Sequence, residues 1–267
     1  MDSHMLMHNW NWSLIGLSYA IAAVASYISL ELAARAGQNP VANGRFWLIS
    51  QGLLLGFGIW AMHFIGMLAY EVPATVSFSL PLTIVSGLAA VACMTIAIFI
   101  VHSGPTSLGR LSIAGLISGT GIAVMHYTGM SAFVVNASAS YSTVPFILSV
   151  LIAVGASMVA LFLFKLLGSN WSTGRSPISL FGLKIGAGLV MGVAITGMHY
   201  TGMNAIQYQV AAGAKLGSAL SGSDTGLLAI LVAMVTFLLL GLAIVSIAMD
   251  AGSGMQEFEG QELEAND

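Results

Sequence analysis

Apolar residues do not alternate along this chain; they run in long blocks separated by short breaks rich in Gly, Pro, Asn and Ser. Seven blocks fall near Ser13–Ala34, Trp47–Tyr70, Phe78–Val101, Leu111–Val134, Val144–Leu167, Leu183–Ile206 and Gly226–Met249. A helix rising 1.5 Å per residue crosses a bilayer core with about 20 residues, and each block is that long. The breaks hold Asn39-Pro40, Pro73, Ser103-Gly104-Pro105, Gly174 to Pro177 and Gly222 to Asp224, all residue types that end helices. Nothing shows the alternating segments of about ten residues that a membrane barrel would need. The pattern predicts an all-α integral membrane fold of seven transmembrane helices joined by loops.

Composition agrees with the pattern. Of 267 residues, 57% are apolar and only 6% charged, whereas a soluble domain carries about a quarter charged residues. Five of the ten acids lie in the last eleven residues, and the net charge of −3 leaves no basic face for nucleic acid. Arg35, Arg45, Arg110, Lys165, Arg175 and Lys184 gather at one set of helix ends, against Lys215 alone at the other. The expected topology therefore has the N-terminus outside and the C-terminus in the cytoplasm. The first block is too long for a cleavable leader, and Met1 to Met5 reads as an expression scar. Three regions follow: an extracytoplasmic 1–12, a seven-helix unit over 13–249, and an acidic cytoplasmic tail over 250–267 that reads as a linker to a further domain.

An internal repeat carries the chemistry. Gly52 to Met67 reads GLLLGFGIWAMHFIGM, Gly115 to Met130 reads GLISGTGIAVMHYTGM and Gly188 to Met203 reads GLVMGVAITGMHYTGM, with eight of sixteen positions identical in all three. The copies fall on the second, fourth and sixth helices. Fainter echoes precede them at Ala23 to Ser26, Ala90 to Cys93 and Ala153 to Ala156, so the unit is a helical hairpin present three times, with a seventh helix appended. Gly52/Gly56, Gly115/Gly119 and Gly188/Gly192 are spaced to let helices approach closely. Offsets of three, four and seven continue that face through Ile59, Ile122 and Ile195 to His63, His126 and His199, which point into the bundle. Met67, Met130 and Met203 follow about 40° round each helix; Met62, Met125 and Met198 flank the rings. Each histidine lies seven or eight residues before its helix's predicted end, about 10–12 Å below the outer boundary. Imidazole is costly in hydrocarbon, and packing explains the glycines without explaining a titratable ring in every copy. Neutral imidazoles among thioethers suit copper, with Cu(I) favoured; zinc is the alternative, since it accepts three histidines and water.

Three M-H-[FY]-x-G-M motifs on seven helices resemble the MHYT domain family of bacterial membrane sensors, and the resemblance covers the chain from about Trp12 to Met249. It implies a sensory membrane module binding copper through Met62, His63 and Met67, then Met125, His126, Tyr127 and Met130, then Met198, His199, Tyr200 and Met203. It also implies a diatomic gas (O2, CO or NO) or a copper or redox signal, and output through cytoplasmic GGDEF/EAL domains acting on cyclic di-GMP. No GGDEF or EAL sequence occurs in these 267 residues. The first copy departs from the pattern, with Phe64 where the others have Tyr127 and Tyr200. Those phenols are expected either to hydrogen-bond a group behind the ligands or to anchor the membrane interface.

The remaining polar residues have plainer readings. His8 is expected to be a solvated terminal residue near the mouth of the site, Glu31 to pair with Arg35 at i, i+4, and Cys93 to be a small packing residue. His102 and Arg110 would meet lipid headgroups. The composition is compatible with a homodimer. A seven-helix zinc hydrolase is the competing function, disfavoured because only Glu71 and Asp224 offer acids near the outer layer. Haem would find only Lys215 for its propionates, and a retinal protein fails because the seventh block has no lysine. The chain is thus read as a sensor, not an enzyme.

Overall fold

The computed structural model describes residues 4–5, 7–38, 44–167, 176–210, 226–239, 241, 242 and 245. Six helices are long and apolar enough to cross a membrane: α1 (Trp12–Gln38), α2 (Gly44–Leu68), α3 (Leu80–His102), α4 (Leu108–Ala132), α5 (Thr143–Leu167) and α6 (Pro177–Met203). A seventh, α7, is described over Gly226–Leu239, shorter than a crossing, and most of the predicted remainder to Met249 lies outside the described residues. The Asn39-Pro40 break, Arg175, Lys215, Asp224 and the acidic tail also lie outside them. Helix starts follow local chemistry. Ser107 Oγ accepts from the Arg110 amide, Ser176 Oγ accepts from the Ser179 amide with Pro177 behind it, and a proline opens α3. Leu88, Leu151, Val190 and Phe237 turn outward and exposed, which only a hydrocarbon solvent tolerates in such number.

The glycine pairs do what their spacing predicts, each against a particular neighbour. A β-carbon at Gly52 or Gly56 would collide with Thr95 or Val91 of α3 and one at Gly115 or Gly119 with Met158 or Val154 of α5, while one at Gly188 or Gly192 would press tightly on Tyr27 or Ala23 of α1 at 3.0–3.2 Å. Each repeat helix is therefore seated on the first helix of the next hairpin, and the third returns to the first. The helices form a closed ring in which α2, α4 and α6 also meet one another.

One end of the ring is not made of plain loops. Short strands β1 (His4–Met5), β2 (Asn9–Trp10), β3 (Tyr70–Glu71), β4 (Ser77–Phe78), β5 (Phe133–Val134), β6 (Ser138–Tyr141) and β7 (Ile206–Val210) pair there. β3 pairs with β2, β5 with β4, and β7 with both β6 and β1, all antiparallel. The β2–β3, β4–β5 and β6–β7 ladders each tie the segment leaving the second helix of a hairpin to the segment that began its first, and β1–β7 ties the end of the third hairpin to the start of the chain. The repeat helices consequently stop at Leu68, Ala132 and Met203. The histidines lie only four to six residues from those ends, about 6–9 Å deep rather than the 10–12 Å expected.

Two corrections concern polar side chains, Glu31 and His8. Glu31 accepts a hydrogen bond from Lys184 of α6 at 2.9 Å rather than pairing with Arg35, because the Gly188/Gly192 face brings α6 against α1. Arg35 lies over the Trp47 ring at 5.4 Å. His8, though exposed, is not a free terminal residue: it stacks on Tyr70 at 4.6 Å, held there by the β2–β3 ladder. Arg110 folds back on its own loop to the Pro105 carbonyl, and His102 Nδ1 bonds the Ile98 carbonyl at 2.9 Å. Cys93 packs against Gly121 of α4.

Candidate metal centre

His63, His126 and His199 meet at the centre of the ring near the strand end, all at most 1% exposed. Their Nδ1 atoms form a triangle with sides of 3.1, 3.2 and 3.3 Å, and the rings cross nearly at right angles. None of the three Nε2 atoms has a hydrogen-bond partner. Three neutral imidazoles carry three protons on six nitrogens. With the protons on Nε2, three lone pairs converge on one point; with protons on Nδ1, they crowd the same point. No assignment satisfies all six nitrogens. A cation held by all three Nδ1 atoms would satisfy the three lone pairs at once, and the three atoms are close enough together for one ion to reach each of them at the roughly 2.0–2.1 Å of imidazole–metal bonds. The residues present therefore fit a metal ion. Among the described residues this group of three histidines contains no carboxylate.

The motif glycine three residues after each histidine is what lets the rings converge. A β-carbon at Gly66 would overlap Nε2 of His199, one at Gly129 that of His63, and one at Gly202 that of His126. Each ring thus enters a notch in the next repeat helix, round a closed cycle. Sequence reasoning assigned Gly52, Gly56 and their counterparts to packing but gave these three no role. Their identity in every copy, three residues from the histidine, was the available signal.

The other expected site residues divide. Met62, Met67, Met125, Met130 and Met203 are buried in the main core, whereas Met198 belongs to a separate small cluster with Ala123 and Ala153. The phenol rings pack edge-on against their neighbouring imidazoles, with centroids 4.7–4.8 Å apart, and send their hydroxyls outward: Tyr127 is hydrogen-bonded to Ser149 of α5 at 2.7 Å and Tyr200 to Ser18 of α1 at 2.9 Å. They clamp each repeat helix to the hairpin on which its glycines rest. In the first copy Ser86 of α3 meets Trp60 Nε1 instead, at 3.3 Å, with the same nitrogen donating to the Thr83 carbonyl at 3.0 Å. Trp60, where the other copies have alanine and threonine, thus supplies the polar contact that Phe64 cannot. Glu71 is exposed and accepts from Asn11 Nδ2 at 3.1 Å.

Above the rings the structure is sealed. Tyr70, Phe133 and Tyr208, one from the end of each hairpin, pack with centroids 5.5–6.3 Å apart and are buried. Burial, then the neighbouring Tyr141 and Tyr70, pushes the Tyr208 phenol up, and burial raises that of Tyr70, so the plug stays neutral at ordinary pH.

Comparison with known proteins agrees with this architecture. The MHYT family, described as a bacterial signalling protein N-terminal repeat, matches residues 56–114 and 119–175. The chain belongs to the MHYT family. Relatives include the bifunctional diguanylate cyclase/cyclic di-GMP phosphodiesterase MucR of Pseudomonas aeruginosa, 40% identical over 92% of this chain and 35% of that protein. The cyclic di-GMP phosphodiesterase NbdA of the same organism is 36% identical over 81% of the chain and 27% of its own length. The signaling protein YkoW of Bacillus subtilis is 37% identical over 78% and 25%. The MHYT chain thus spans about a third or less of these relatives. No solved structure matches it.

Proposed function

We propose that this MHYT chain is the sensory part of a longer membrane signalling protein, and that it holds one copper ion on His63, His126 and His199. The observation that carries the reading is the Nδ1 triangle, three buried nitrogens aimed at one point with no arrangement of protons that satisfies them. Buried methionines flank each histidine in the sequence, and as soft donors they would favour copper, and Cu(I) in particular, over zinc. Met67, Met130 and Met203 are the leading candidates, with Met62, Met125 and Met198 nearby. When bound, the metal supplies a coordination position for a small signal such as O2, CO or NO, or reports copper or redox state directly. The chain's own residues orient the rings through the glycine notches, exclude water through the Tyr70, Phe133 and Tyr208 plug, and tie each helix to its neighbour through Tyr127 and Tyr200. A signal that changes the coordination shifts helix packing only if the two packings bind the liganded metal differently. In this reading the strand end faces outward, the chain lies in the bacterial inner membrane, and α7 passes the change to a cytoplasmic domain of GGDEF/EAL type, as the names of MucR and NbdA suggest.

The test is metal analysis of the purified full chain with copper, zinc, iron and haem measured together. His63→Ala, His126→Ala and His199→Ala should each lose most of the bound copper while the protein is still produced. Full copper in any two of these variants would end the shared-site reading, and zinc in place of copper would replace the metal.

A further inference from the structure

One turn from the histidines, on the side away from the strands, the ring holds a partly open apolar cavity, which Met198 of the third motif copy also lines. Ile59, Ile122 and Ile195, the isoleucines of the three motif copies, bound a chamber of about 30 Å³. A single water needs about 10–15 Å³ measured this way, so the chamber has room for two atoms of that size. Its walls are aliphatic and thioether side chains, and the one polar group is Ser157, whose hydroxyl is already hydrogen-bonded to Ser118 at 3.1 Å. A trapped water makes two to four hydrogen bonds, and these walls cannot provide them. Cavities of this character stay dry and take up apolar gases.

The approach to the chamber differs from that to a water-facing pocket. The strand end is closed by the neutral aromatic plug described above. In the wall between α5 and α6, by contrast, the chamber is lined by Ala156 and Ala194, both only half-buried. Each therefore presents one side to the chamber and another to the outside of the ring, where the neighbouring Val159 and Val193 are exposed. That surface faces lipid. The cavity is partly open, and an opening between small side chains onto hydrocarbon admits a small apolar solute but is a poor route for an ion or a polar molecule.

We propose that the chamber is a binding site for an apolar two-atom molecule of the dioxygen class, which arrives through the membrane between α5 and α6. The inference builds on the sensory reading above by giving the signal a place and a route beside the metal, but the chamber's occupancy does not require the metal. Xenon is the probe. Crystals of the full chain grown in lipid and pressurised with xenon should show an anomalous peak bounded by the three isoleucines. Ala156→Phe, which fills the wall with a ring, should abolish the peak; Ala194→Phe, on the facing helix, is the second variant should the first not fold. Copper measured on the same preparations separates the two ideas. A peak without copper upholds the chamber and removes the metal reading, whereas copper without a peak in the parent overturns the chamber alone. A peak undiminished in both folded variants overturns it as well.

Discussion

The glycine three residues after each histidine is the smallest feature on which the site depends. Gly66, Gly129 and Gly202 each accept the imidazole of another repeat, so a methyl group at any of them must displace a ring that has no room to retreat. Gly129→Ala should therefore cost about 1–3 kcal/mol by overpacking and lower copper binding by moving His63. Gly197→Ala, on α6 two residues before His199 but with open space around it, should do neither. Thermal unfolding and copper content of the two purified variants check this, and equal copper in both would show that the notches do not hold the rings. The histidines themselves were legible in the sequence because helical periodicity alone fixes their direction and shared depth. The notch was not, because it depends on which helix lies beside which, and a glycine gives no hint of what occupies the space it leaves.

Among the elements, the same division holds between what a single helix determines and what its neighbour determines. Positions of the first six helices follow directly from apolar length, but the strand ladders at one end are mostly only two residues long and carry no periodic signal. They shortened the helices and moved the histidine layer nearer the surface. Glu31 has Arg35 within reach on its own helix, yet pairs with Lys184 because α6 is drawn in by its glycines. Both partners are largely buried, with side chains 9% and 14% exposed. Breaking such a pair leaves one uncompensated charge and costs about 3–5 kcal/mol, while replacing both with neutral groups is close to neutral. Lys184→Met alone should thus destabilise the fold by about that amount, and Glu31→Gln with Lys184→Met should restore most of the loss. Unfolding midpoints in detergent give the comparison. A single variant no worse than the double would mean that the pair does not hold α1 to α6.

At the scale of the whole molecule, three hairpins interlock so that each contributes one imidazole, one glycine notch and one buried residue of the aromatic plug. In such a ring each imidazole is lodged against the repeat helix that receives it, so the three repeat helices are coupled through the site. The repeat made the number of converging histidines legible before any coordinates; the order in which the hairpins rest on one another, α2 on α3, α4 on α5 and α6 on α1, came only from the fold. The central claim is that the three rings share one metal ion. X-ray absorption fine structure at the copper edge of the loaded, purified chain tests it most directly. The account predicts three imidazole nitrogens in one shell at roughly 2.0 Å, with the outer-shell scattering that imidazole rings give. A shell of sulfur or oxygen with one imidazole or none would contradict it.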